Sequence, residues 1–151
     1  MIAVIQRVKD CSVTVEGQVV GQINQGLCVL LGVAENDTEQ EADWLLQKIV
    51  QMRIFGDAEG KMNLSLEDIK GEFMLISQFT LLANTKKGNR PSFIRAAKPD
   101  VATQLYEYTI QKAQANPQLS KVATGKFAAD MKVSLCNDGP VTIIIDTENK
   151  Q

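Results

Sequence analysis

An unbroken apolar run, LCVLLGV at residues 27–33, is the feature that most restricts the fold. A strand with one face in water alternates apolar and polar side chains, whereas this run contains no polar side chain. It therefore predicts a central strand that is covered on both faces. The segment EFMLISQFTLL at 72–82 begins in the same way. Two such strands favour a sheet with helices packed against it.

Two segments have the spacing of amphipathic helices. The first begins at Thr38, which forms a capping-box pattern with Glu41. The second begins at 98–100, where a proline follows a lysine, and ends at Asn116-Pro117. The apolar stripes are Ala42, Leu45, Leu46, Ile49 and Val50 in the first helix and Ala102, Leu105, Tyr106, Thr109 and Ala113 in the second.

The remaining strands lie near the two ends of the chain. The segment CSVTVEGQVVGQI at 11–23 predicts a β-hairpin. Met131–Cys136 and Val141–Asp146 predict the last two strands. Between them lies Asn137-Asp138-Gly139-Pro140, a set of turn-forming residues that predicts a hairpin or a loop reversal.

The chain length of 151 residues suits one domain with a sizeable core. No apolar run is long enough to span a bilayer, and the N-terminal segment is charged too early for a signal peptide. We therefore expect a cytoplasmic protein without a membrane segment. The predicted fold is a single α/β domain over residues 1–151, with a mixed, partly barrel-like β-sheet and two main helices packed outside it.

The chain contains no histidine, which excludes every catalytic arrangement that needs an imidazole base. Three widely spaced cysteines argue against a disulfide framework and against a zinc site. The acidic residues have no metal-site spacing either, so we expect no metal and no cofactor. An enzyme with this composition would move protons through a carboxylate, a lysine, a hydroxyl group, water or its substrate.

One local charge pattern departs from the overall net charge of −2. The segment TKKGNRPSFIRAAK at 85–98 carries five basic residues and no acidic one. Such a patch is able to contact phosphate groups. A solvated basic loop explains the charges equally well.

The segment SQFTL at 77–81 places three polar side chains directly after a buried strand. Polar groups at such a position need partners, because burying them without hydrogen bonds is costly. Ser77, Gln78 and Thr80 therefore either cap neighbouring backbone groups or face a substrate.

Five stretches together resemble the D-aminoacyl-tRNA deacylase family. In chain order they are RIFGDAEGKMNLSL, SQFTLLA, GNRPSF, TGKFAADMKV and NDGPVT, and they cover most of the chain from Arg53 to Thr142. The pair SQFTL and NDGPVT at this spacing is specific, whereas either alone would be weak. The resemblance implies a cytoplasmic homodimer that hydrolyses the ester between a D-amino acid and the terminal adenosine of tRNA.

The resemblance also implies a stereochemical filter. In this family a Gly-Pro pair with a cis peptide projects towards the partner subunit's site, and here that pair is Gly139-Pro140. A rigid backbone wall that clashes with an L side chain gives specificity by rejection. Glycine has no side chain to clash, so we expect glycyl-tRNA to be hydrolysed as well.

The resemblance leaves the chemistry with two candidates. Backbone N–H groups around Gln78 and Phe79 are expected to form an oxyanion hole, and the side chains of Ser77 and Gln78 to orient the ester or the amino group. The ribose 2′-hydroxyl of the substrate is one candidate for activating water. Thr80 is the other candidate, as a nucleophile, although the sequence offers it no adjacent base.

Further residues are expected to bind the tRNA end. Phe127 and Met131 are expected to line an apolar slot for adenine, with ordinary core packing as the alternative. Acceptor-stem phosphates are expected to meet four basic side chains, Lys86, Lys87, Arg90 and Arg95. Two other functions stay open: a non-catalytic module that binds the tRNA end or a nucleotide, and a small α/β dimerisation domain.

Overall fold

The computed structural model describes residues 1–150, which form eight strands, two α-helices and one 3-10 helix. The strands are β1 (Ile2–Val15), β2 (Gln18–Ile23), β3 (Gly26–Gly32), β4 (Phe55–Gly56), β5 (Met62–Leu64), β6 (Glu72–Ser77), β7 (Lys121–Thr124) and β8 (Lys132–Asp146). The helices are α1 (Glu39–Gln51), the 3-10 helix (Phe79–Leu82) and α2 (Pro99–Gln114).

The main sheet is mixed and curls towards a closed barrel. Its strand order is β2-β1-β3-β6-β7. β3 pairs with the first half of β1 and β2 with its second half, whereas β8 pairs with both halves. β3, β6 and β7 are parallel to one another, whereas β1 is antiparallel to its three partners. β2 returns so close to β7 that a Cβ atom on Gly21 would lie 2.3 Å from the carbonyl oxygen of Thr124. The predicted mixed, partly barrel-like sheet is therefore confirmed.

The two faces of β3 belong to two separate cores, which explains why its sequence has no polar side chain. Leu27, Val29 and Leu31 pack against the helices. Cys28 points into the barrel interior, which also contains Cys11 and other buried residues of β1, β2, β6 and β7. The prediction of a central strand covered on both faces is confirmed.

Both helices form where their stripes predicted them. Thr38 caps α1 through the predicted capping box: its side chain accepts a hydrogen bond from the N–H of Gln40, and the Glu41 carboxylate accepts one from the N–H of Thr38. α2 begins with Pro99 in its first turn, where the missing N–H is not needed. All ten residues of the predicted stripes are buried.

The hairpin of β1 and β2 is confirmed, and its first strand begins earlier in the chain than predicted. The turn residues Glu16 and Gly17 both have positive φ angles, of 49° and 78°, which suits a two-residue hairpin turn.

The prediction of a hairpin or loop reversal at 137–140 is wrong. The chain does not turn back there, because Lys132–Asp146 is one continuous strand paired with β1. Thr142 pairs with Gln6 and Asn137 pairs with Val8, so residues 138–141 bulge opposite a single residue of β1. Turn-forming residues also favour bulges, and an edge strand tolerates a proline that donates no ladder hydrogen bond.

Candidate active site

A cavity of about 570 Å³ opens where β6 ends and α2 begins. Its walls come from β3, the end of β6, the first turns of α2 and the 127–131 segment between β7 and β8. Five residues predicted from separate stretches of the sequence meet in this cavity: Ser77, Gln78, Phe79, Phe127 and Met131. The fold therefore brings together two motifs that are distant along the chain.

The polar strand end has a defined backbone geometry. The N–H of Gln78 donates to the carbonyl of Leu31 at 2.8 Å, so this group is not available as an oxyanion donor. The expectation for the Gln78 N–H is therefore wrong, because the pairing of β6 with β3 extends one residue past the strand. Phe79 and Thr80 open the 3-10 helix, and their N–H groups have no carbonyl within that helix to bind.

Thr80 lies beside the cavity and not in its lining. Its hydroxyl oxygen accepts a hydrogen bond from the side-chain amide of Gln78. An amide group is not a base, so this contact does not activate the hydroxyl as a nucleophile.

The aromatic wall of the cavity joins α2 to the 127–131 segment. The ring centroids of Tyr106 and Phe127 are 5.9 Å apart. The Tyr106 hydroxyl donates to the carbonyl of Leu75 at 2.8 Å, and burial raises the pKa of Tyr106 to about 12. Tyr106 therefore stays neutral at physiological pH. The sequence pattern indicated its burial in the helix stripe but not its place in the cavity.

A second aromatic pair stands at the mouth of the cavity. Phe79 is 58% exposed, and its ring lies edge-to-face with Phe93, with centroids 5.1 Å apart. No sequence motif pointed to Phe93 as a site residue. The signal that could have found it is its position as the one aromatic residue in the basic segment 85–98.

The basic segment forms a loop, and the end of the segment lines the cavity through Phe93, Ala96 and Ala97. Asn84 and Ser92 hold its base through two backbone hydrogen bonds, of 2.8 and 2.9 Å. Lys86, Lys87 and Arg90 are exposed on the loop and make no salt bridge within residues 1–150. Arg95 differs from them, since its guanidinium is 3.1 Å from the carboxylate of Glu148.

Gly139 and Pro140 lie on β8, outside the lining of the cavity in their own chain. The peptide bond between them is cis, and both residues are exposed. Arg7 supports the segment before them: its Nε donates to the carbonyl of Asp138 at 2.9 Å and its Nη1 to the carbonyl of Ile54 at 2.6 Å.

Within residues 1–150, no group of three or more Cys, Asp or Glu side chains is arranged to hold a metal ion. In the same range, neither α-helix is long and apolar enough to cross a membrane.

Comparisons with known proteins define the class of this chain, which is that of hydrolases acting on the ester bond of aminoacyl-tRNA. Residues 4–146 match the family model of D-Tyr-tRNA(Tyr) deacylase. The chain belongs to this family, and the resemblance seen in the sequence is confirmed.

Two solved structures share the fold. One, described as "c-Myc DNA Unwinding Element Binding Protein", is 40% identical, covers 97% of this chain and 98% of its own, and has a TM-score of 0.89. The other, described as "Structural Analysis of a probable eukaryotic D-amino acid tRNA deacylase", is 16% identical. It covers 95% of this chain and 97% of its own with a TM-score of 0.80, a likeness of fold alone.

Proposed function

We propose that this chain hydrolyses D-aminoacyl-tRNA and glycyl-tRNA, and that a backbone wall rejects L-aminoacyl-tRNA. The observation that carries the proposal is the meeting of Ser77–Phe79 with Phe127 and Met131 in one cavity. A polar strand end beside an apolar aromatic wall suits an ester joined to an adenosine. Membership of the deacylase family supports the same reaction.

In the proposed complex, adenine occupies the apolar part of the cavity beside Phe127 and Met131. The ester then lies at Ser77 and Gln78, whose side chains orient it. The N–H group of Phe79 stabilises the oxyanion, since Phe79 lines the cavity, opens a helix and has no partner for this group within that helix. One such donor typically contributes about 10²–10³ in rate.

The proposed proton path uses the substrate and no metal. The 2′-hydroxyl of the terminal ribose adjoins the ester and accepts a hydrogen bond from the attacking water, and the proton that the water loses ends on the departing 3′-oxygen of the ribose. Thr80 is the weaker candidate for this chemistry, because its hydroxyl is bonded to an amide and lies outside the cavity lining. Substitution Thr80→Ala separates the two routes, as near-normal single-turnover hydrolysis excludes a covalent intermediate on Thr80.

The proposed filter comes from a second copy of the chain. Gly139 and Pro140 are exposed on an edge strand and do not line the cavity of their own chain. An edge strand with exposed apolar side chains is suited to association with another chain. In a homodimer we place the Gly139-Pro140 backbone at the partner's cavity, against the α-carbon of the substrate.

The tRNA phosphates are proposed to contact the basic loop. Lys86, Lys87 and Arg90 form the main contact, and Arg95 contributes less because Glu148 shares its charge. Contacts to the phosphate groups of tRNA make the affinity fall as the salt concentration rises, and they depend little on the tRNA sequence. The site of action that we propose is the cytoplasm.

Hydrolysis of D-tyrosyl-, L-tyrosyl- and glycyl-tRNA by purified protein tests the proposal. We expect turnover in excess over protein for the D and glycyl esters, none above background for the L ester, and no effect of a chelator. A non-catalytic module that binds the tRNA end would protect the ester instead. Equal turnover of both tyrosyl enantiomers would contradict the filter, and inert glycyl-tRNA would contradict exclusion by clash alone.

A second candidate function is binding of DNA. The relative at 40% identity is described as binding a DNA unwinding element, and the basic loop is the feature of this chain that favours a nucleic-acid contact. Competition between duplex DNA and deacylated tRNA for the chain distinguishes this function from tRNA editing.

A further inference from the structure

The aromatic pair at the mouth of the cavity is built from two separate segments. Phe79 starts the 3-10 helix after β6, and Phe93 follows the closed base of the basic loop. Their edge-to-face contact at 5.1 Å and 74° fixes the Phe79 ring while leaving more than half of the residue exposed. An aromatic ring held at the surface and open to solvent is a platform on which a flat apolar group can stack.

The position of this pair indicates what stacks there. Both rings line the same cavity as Phe127 and Met131, where the proposed function places the terminal adenosine. Phe93 follows directly after Ser92, which closes the loop that carries Lys86, Lys87 and Arg90. An RNA strand that runs from the cavity to the basic loop therefore places the base next to the terminal adenosine at the aromatic pair.

We propose that Phe79, supported by Phe93, stacks the base of the penultimate nucleotide at the tRNA 3′ end. This inference rests on the proposed function for the position of the terminal adenosine. Aromatic rings stack any base, because every base has a π-face. Lys86, Lys87 and Arg90 of the loop, which form no salt bridge within the described part of the chain, suit the phosphates that link this nucleotide to the rest of the RNA.

The test compares two substrates that differ only beyond the terminal adenosine. They are the D-tyrosyl ester of adenosine and the D-tyrosyl ester of the trinucleotide CCA. We expect kcat/KM to be about 5- to 150-fold higher for the trinucleotide, which is the range for stacking one base. Phe79→Leu should bring this ratio towards one, whereas Phe79→Tyr should preserve it because its ring still stacks.

Ile94→Ala is the matched control. Ile94 is 84% exposed and adjacent to Phe93, but it does not line the cavity. Its loss should leave the ratio at the wild-type value if the contact requires an aromatic ring. An equal fall in Ile94→Ala and Phe79→Leu would overturn the proposal, as would a wild-type ratio near one.

A second copy of the chain is the rival occupant of the exposed ring. Light scattering on the same variants separates the two. If Phe79→Leu lowers the kcat/KM ratio and leaves the oligomeric state unchanged, the result supports stacking of the base on Phe79. A lower ratio that accompanies dissociation of the protein overturns the proposal. If neither ester is hydrolysed, the proposed function fails, but the Kd ratio of uncharged CCA and adenosine still tests the platform with the same expected values.

Discussion

Strands β1 and β8 are neighbours of similar length and composition, but their environments are opposite. β1 has strands at both of its edges and packed side chains on both faces, and Ile5 and Val8 are fully buried. Among residues 1–150, β8 has a strand at one edge only, and Ile144 in its β-branched run is 68% exposed. Position in the sheet, and not hydrophobicity of the strand, decides which apolar side chains are covered.

The three cysteines give the largest expected contrast between these regions. Cys11 and Cys28 are buried in the barrel interior, whereas Cys136 is exposed on β8. A hydrogen bond to Cys11, together with burial, raises the pKa of the Cys28 thiol, which keeps it in the unreactive protonated form. We expect native alkylation of Cys136 to be faster by about 10³ or more, since the interior thiols react only after opening.

Timed alkylation with mass spectrometry measures this contrast, and urea-unfolded protein is the control in which all three thiols react. Rapid labelling of Cys28 in the native protein would show that the barrel opens without global unfolding. Slower labelling of Cys136 at higher protein concentration would show that β8 becomes covered by association.

Truncation of a core residue should lower the free energy of unfolding much more than truncation of a residue on the edge strand β8. Phe73 is fully buried between the sheet and the helices, so Phe73→Ala should lower the free energy of unfolding by about 3–5 kcal/mol. Ile144→Ala removes an exposed side chain and should change it by less than about 0.5 kcal/mol. Urea denaturation of both variants measures the difference, and similar losses would contradict the contrast.

Alkaline pH should lower the free energy of unfolding through the buried side chain of Tyr106. Tyr106 has a pKa of about 12 when folded, and an unfolded tyrosine has a pKa of about 10. The unfolded state therefore loses its proton first, and stability falls as pH rises between about 10 and about 12, by about 3 kcal/mol. Tyr106→Phe should remove this part of the pH dependence in denaturation curves. A variant with the wild-type slope would show that the hydroxyl titrates normally.

A charge on the free edge should affect association more than folding. Leu135→Lys on β8 should raise the Kd of the proposed homodimer at least about tenfold, since like charges would face each other across a symmetric contact. The control is Val19→Lys, which makes a similar change at an exposed site on β2. Light scattering over a dilution series measures both, and an equal shift in the two variants would locate the interface away from β8.

Segments whose structure follows from a local sequence pattern were predictable from the sequence. A strand covered on both faces has no polar side chain, as in 27–33, and a capped helix has a stripe that starts at its cap, as after Thr38. The bulge at 138–141 was not predictable, because the same residue types favour turns and bulges. The choice between them depends on pairing with β1, which is distant in sequence.

The site was predictable to the level of motifs and not of individual groups. The resemblance selected Ser77, Gln78 and Phe127, and the fold brings them to one cavity. The hydrogen bond from the Gln78 N–H to the Leu31 carbonyl depends on the register of β3 and β6, which no local sequence pattern determines. The pairing of Arg95 with Glu148 joins residues that meet only after folding.

The pairing of Ile2 with Asp146 sets a condition on biosynthesis. The ribosome makes β1 before β8, with every other described strand and both helices between them, so one edge of β1 has no native partner until β8 has been made. Long-range pairing of this kind is a slow step in folding, and an unpaired apolar edge invites wrong partners. A nascent chain that stalls before β8 should therefore depend on chaperones that shield β1.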